Sequence, residues 1–111
     1  MAPKWAEVLA EDPLPWLLEP ADPAVRASAL RYLLDRGTDE PEVCAAQSEA
    51  MKVDPIAGIL AAQDEGGWWE KPGPGYGPKY RGTVWNLMFL DQLGADPDDV
   101  RIQQACKYML E

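Results

Sequence analysis

Proline punctuates this chain so densely that neither a long helix nor a central strand can be drawn through it. Eleven of the 111 residues are proline, and a proline inside a helix removes a hydrogen bond and clashes with the preceding turn. Helices must therefore be short and must begin where proline does no harm. Asp22-Pro23, Asp39-Glu40-Pro41, Asp54-Pro55 and Asp96-Pro97-Asp98-Asp99 each set a carboxylate near a helix N-cap and a proline at or just before the first turn. From Asp22 a helix is expected to carry Val25, Ala29, Leu30 and Leu33 on one face and to stop at Gly37, whose missing Cβ suits a left-handed cap. From Pro41 the apolar face is Val43, Ala46, Ala50 and Met51, and from Pro55 it is Ile56, Ile59 and Leu60, running on to Gln63. A helix from about Thr83 carries Leu87, Leu90 and Leu93 before Gly94, and one from about Asp99 carries Ile102, Ala105, Cys106 and Met109. Lys4 to Leu9 reads as a further helix, and Trp16-Leu17-Leu18 after Pro15 as a single apolar turn. No strand alternation extends beyond a few residues, so the fold class is all-α, a single helical repeat domain over residues 1–111. Asp22 to Leu34 is echoed by Val100 to Leu110, as expected of stacked helical pairs that cannot bury their faces alone.

The segment Ile59 to Leu93 refines this picture. A helix ending Ala61-Ala62-Gln63 enters the turn Asp64-Glu65-Gly66-Gly67-Trp68-Trp69. Glutamine carries an acceptor and two donors, enough to tie one helix end to a neighbouring turn. Gly67 lets the chain reverse, and Trp68 can lie over the helix ends as an apolar plate with one N–H to satisfy. After a Gly/Pro/Tyr loop comes Thr83-x-Trp85-x-Leu87-x-x-Leu90-x-x-Leu93-Gly94.

This glutamine-glycine-tryptophan spacing and its Thr-started helix resemble the QW repeat of squalene-hopene cyclases and their prenyltransferase-like relatives, over roughly residues 54–110. The resemblance implies short paired helices of an α/α toroid, here a partial one. Ala105 to Glu111 looks like the opening of another such repeat, so the chain is expected to be a fragment, an isolated domain or a small offshoot of a longer toroid. A second resemblance, Asp-Pro-x-Val-Arg-x-x-Ala-Leu-x-x-Leu from Asp22 to Leu33, is to a HEAT-type helix and implies no chemistry.

Composition excludes several functions. A formal charge of −9 and the absence of any basic run argue against nucleic acid and anionic membrane surfaces. No apolar run approaches the ~18 residues of a membrane span, and the start of the chain lacks the apolar stretch of a signal peptide. Cys44 and Cys106 have no CxxC spacing and read as buried thiols in a reducing cytoplasm. With no histidine, His/Cys zinc sites and Ser-His or Cys-His nucleophiles are ruled out. That includes the zinc of the protein prenyltransferases that share the toroid, and no cofactor is expected.

Two clusters remain. Asp96-Pro97-Asp98-Asp99 matches the letters of the Asp-x-Asp-Asp acid motif of class II terpene cyclases. Its position before a helix reads instead as a solvated cap complementing the helix dipole, so no catalytic residue is assigned. The loop from Trp68 to Gly82 lacks the spacing of a phosphate cradle but is rich in aromatic surface. The candidate ligand-binding residues are Trp68, Trp69, Glu70, Tyr76, Lys79, Tyr80, Arg81 and Trp85; the competing reading has these rings covering helix ends, with Lys79 and Arg81 tied to Glu65 and Glu70.

The leading functional reading is a non-catalytic helical module that binds an isoprenoid, another apolar small molecule or a protein partner. The alternatives are a fragment of a terpene-cyclase or prenyltransferase-like enzyme and a HEAT-like protein-binding scaffold. Apolar faces at Ile102/Cys106/Met109 and Leu87/Leu90, left open by a partial toroid, imply a homo-oligomer.

Overall fold

The structure is a computed structural model that describes Trp5, Glu7 and residues 9–111. Among these residues it is helical throughout, with no strand and no helix long and apolar enough to cross a membrane. The contacts group the chain into two compact units, Met1–Ala50 and Met51–Glu111. The helix expected over Lys4 to Leu9 lies largely outside the described residues.

The first unit contains α1 (Leu14–Leu17), α2 (Pro23–Ser28) and most of α3 (Pro41–Met51). Proline occupies the first turn of α2 without penalty, since the N–H it lacks would have no partner there. The helix does not continue regularly to Gly37. It widens into a π-helical turn over Ala29–Leu33, marked by Leu34 N donating to the carbonyl of Ala29 at 3.2 Å. It is then closed by Asp35 in a left-handed conformation, φ 53°, with Arg36 N donating to the carbonyl of Leu30 at 2.8 Å.

Of the expected face, Ala29 and Leu30 are buried, and the stripe extends back from Leu30 through Ala27 to Pro23, the i, i+4, i+7 spacing of one helix face. Val25 lies about 200° around the helix from Pro23 and is exposed. The α3 face is as expected, with Val43, Ala46 and Ala50 buried. Cys44, one residue from Val43, points away from that face and is exposed, its thiol donating to the carbonyl of Thr38 at 3.3 Å. The apolar turn expected at Trp16 forms, yet Trp16 itself is exposed.

The second unit contains α4 (Ile56–Ala61), α5 (Thr83–Gln92) and α6 (Val100–Leu110). Its core is Ile56, Leu60, Trp69, Leu90, Ile102 and Ala105, with Thr83 buried among them. Leu90 is 1% exposed and Ile102 9%, while Leu87 and Met109 are half-buried. Of the two faces on which self-association was expected, Leu90 and Ile102 are thus covered within the chain, and Leu87 and Met109 keep part of their surface. Cys106 is exposed, so neither cysteine is a buried thiol; it adjoins Ala105 on the outer side of α6.

Because Leu90 is almost wholly enclosed, Leu90→Ala should leave a cavity that its neighbours only partly fill. The expected loss of stability is about 2–5 kcal/mol, read from urea unfolding at equilibrium.

Candidate functional site

A turn clamped by two glutamines sets the geometry of the second unit. The Nε2 of Gln63, just past the end of α4, donates to the carbonyl of Gly67 at 3.2 Å and to that of Arg101, in the first turn of α6, at 2.9 Å. Gln104, one turn further along α6, donates its Nε2 to the carbonyl of Glu65 at 2.6 Å. Within the turn, Asp64 N donates to the carbonyl of Trp68 at 2.8 Å, and the Asp64 carboxylate accepts from Gly66 N at 2.7 Å. Gly67 has φ +97°, and a Cβ there would meet the Gln104 backbone carbonyl at 3.3 Å. Both the reversal and the close approach of α6 call for glycine.

The buried plate beyond this turn is Trp69, whereas the sequence pointed to Trp68. Trp69 is 3% exposed. Its Nε1 donates to the carbonyl of Ile59 at 2.7 Å, and its backbone N–H donates to Thr83 Oγ1 at 2.9 Å. One residue, through its side chain and its backbone, thereby joins the end of α4 to the start of α5. Trp68 is half-buried and folds back over Gly66, where a Cβ would lie 2.6 Å from the indole Nε1. The role of plate over the helix ends, expected of Trp68, is therefore filled by Trp69 together with Thr83.

The loop that follows is fastened at three places. Tyr108 Oη of α6 accepts from Gly73 N at 2.6 Å. Gly75 lies directly on Gly82 and Thr83: its carbonyl accepts from Val84 N at 3.2 Å, and a Cβ on Gly82 would collide with the Gly75 carbonyl oxygen. Trp85 Nε1 donates to the carbonyl of Tyr76 at 2.7 Å. Asn86 closes the helix start by donating to the carbonyls of Arg81 and Gly82 at 2.8 and 2.9 Å.

These ties leave an open groove of about 610 Å³. Trp68, Trp69, Glu70, Tyr80 and Arg81, all singled out by the sequence, line it. Ala62, Gln63, Asp64 and Asn86 complete the lining; of these, only Gln63 stands out in the sequence, and as a staple. Tyr76, Lys79 and Trp85 gather beside the groove through Tyr80. The Trp85 ring lies 4.8 Å from that of Tyr80, edge to face, and 5.4 Å from that of Tyr76. The Lys79 ammonium sits 5.1 Å from the Tyr80 centroid.

Among the described residues no ion pair joins Lys79 or Arg81 to Glu65 or Glu70; the cationic partner of the rings is Lys79 itself. Glu70 and Tyr80 have φ of 65° and 69°, left-handed conformations that cost a non-glycine residue about 1 kcal/mol or more. Two strained residues thus flank one groove.

The acidic cluster is a helix cap. Asp99 Oδ1 accepts from Arg101 N at 2.9 Å, and the Arg101 guanidinium donates to both Asp99 oxygens, Nε to Oδ1 at 3.0 Å and Nη2 to Oδ2 at 2.8 Å. Asp96 Oδ1 accepts from Asp98 N at 2.9 Å. The Arg101 side-chain bonds hold the Asp99 carboxyl below its ordinary value against the opposing effect of partial burial. A proton donor to an alkene needs the reverse shift. The side-chain caps expected at the other helix starts do not form for α2 or α4.

No protein-family model matches the chain, and no curated protein or solved structure matches it.

Gln63→Ala leaves the Arg101 and Gly67 carbonyls without this donor and is expected to cost about 1 kcal/mol in a thermal or urea melt. Asp99→Ala is expected to cost about 1 kcal/mol at neutral pH through loss of the cap. Since the native Asp99 pKa is depressed, this difference should be full above the ordinary value of 3.8 and should fade as pH falls through the native value. Melts of the two proteins at a series of acid pH values check it.

Proposed function

We propose that the chain is a non-catalytic helical binding module, akin to a portion of a squalene-cyclase and prenyltransferase-type α/α toroid, and that its binding site is the groove beneath the loop from Trp68 to Gly82. The observation that carries this reading is the division of labour among the aromatic residues. Trp69 is consumed by the fold, with both its N–H groups bonded. Trp68 and Tyr80 keep accessible surface at the groove, and Tyr80 is 58% exposed. Such exposed rings beside fixed polar groups are the usual make-up of a recognition surface.

The absence of catalysis in this reading is supported by the state of the Asp96 to Asp99 cluster. Its capping carboxyl is held ionised by Arg101 and occupied by the helix it starts. The lining of the groove favours a ligand with polar groups over a plain isoprenoid, because Gln63, Asp64, Glu70, Arg81 and Asn86 make up five of its nine residues. Covering that many polar groups with hydrocarbon would cost more than the exposed ring faces return.

A fragment screen read by amide and indole NMR shifts tests the assignment. Binders are expected to shift the Trp68 and Trp85 indole N–H signals together, and linear isoprenoids are expected to be recovered unconverted after incubation with the protein. Shifts confined to residues outside the loop would remove the groove from consideration, and turnover of an isoprenoid would remove the non-catalytic reading.

A further inference from the structure

The charges around the groove are left uncommitted by the fold. Among the described residues the Glu70 carboxylate and the Arg81 guanidinium make no hydrogen bond or ion pair, although both line the groove. Asp64 spends one carboxylate oxygen on Gly66 N and keeps the other. The indole N–H of half-buried Trp68 has no acceptor, unlike those of Trp69 and Trp85. Unpaired charges of both signs beside open ring faces are complementary to a molecule that carries both signs itself.

The rings specify which end goes where. Tyr80 already holds the ammonium of Lys79, 5.1 Å from its centroid, so that ring and neighbouring Arg81 form the cationic part of the lining, and Trp68 is the ring left for a ligand cation. The Asp64 carboxylate and the Trp68 indole N–H both lie against Gly66, Glu70 adds a second negative charge to the lining, and the net charge of −9 adds a long-range field of the same sense. A simple cation would nevertheless face Arg81. An anionic group on the same ligand converts that repulsion into a pair, because the planar guanidinium matches a carboxylate with two parallel donors.

Building on the groove as binding site, we propose that its occupant is a small zwitterion, with an ammonium group against the Trp68 ring and the Asp64 and Glu70 carboxylates, and a carboxylate on Arg81.

Titration of the whole chain with glycine betaine, choline and the neutral isostere 3,3-dimethylbutanol, followed by NMR shifts of Trp68 and Tyr80, separates the contributions. Betaine is expected to bind about fivefold tighter than choline, the size of one exposed ion pair, with the neutral isostere weakest. Arg81→Gln should abolish the gap between betaine and choline, and Glu70→Gln should weaken both. Each replaces an exposed side chain, and unchanged melting curves would certify the fold. Equal binding of all three compounds, or a betaine preference that survives in Arg81→Gln, overturns the zwitterion while leaving the groove as a binding site. If neither these compounds nor any fragment shifts the loop residues, both readings fall.

Discussion

The second unit depends on a donor that reaches two carbonyls at once. A short helix has few bonds of its own to hold it in place. The Gln63 amide supplies a tie from outside, binding the carbonyl of Gly67 in its own turn and that of Arg101 at the start of α6. Gln104 returns the favour from α6 to Glu65. Two side chains, each crossing from one element to the other, fix both position and rotation of α6 against the turn, where a single bond would leave it free to pivot. The placement of Trp69, and through Thr83 the start of α5, follows from that fixed turn.

Adjacent tryptophans then take opposite roles. Trp69 goes inward, where the carbonyl of Ile59 and the hydroxyl of Thr83 satisfy it. Trp68 stays half-buried, and among the described residues its indole N–H makes no bond. A single peptide unit thus separates the residue that ties α4 to α5 from one that keeps open surface.

Much of this could be read from residue types and spacing. The start at Pro41 and the cap at Asp99 were legible because proline and aspartate act through local backbone geometry. The staple by Gln63 was legible because few side chains can serve two carbonyls. The buried face of α2 was legible in part: Ala29 and Leu30 are buried as expected, while the more apolar Val25 is exposed and the small Ala27 is buried, in a helix that widens over Ala29–Leu33. Spacing could not decide between Trp68 and Trp69, since that depended on which indole could reach the end of α4. Asp64 and Asn86 escaped notice at the groove because each also has a local backbone task, bonding Gly66 and the carbonyls before α5, respectively.

The contact of Gly75 with Gly82 has a consequence for variation. With backbone laid on backbone, neither position has room for a side chain, and the chain between them forms a lobe whose two ends are pinned together like the neck of a pouch. Most of the pouch is also moored to α5, since the carbonyls of Tyr76 and Arg81 accept from Trp85 and Asn86 and the rings of Tyr76 and Tyr80 rest on Trp85. Exchange without disturbance to that helix is therefore confined to the tip, residues 77–79, on an otherwise constant handle.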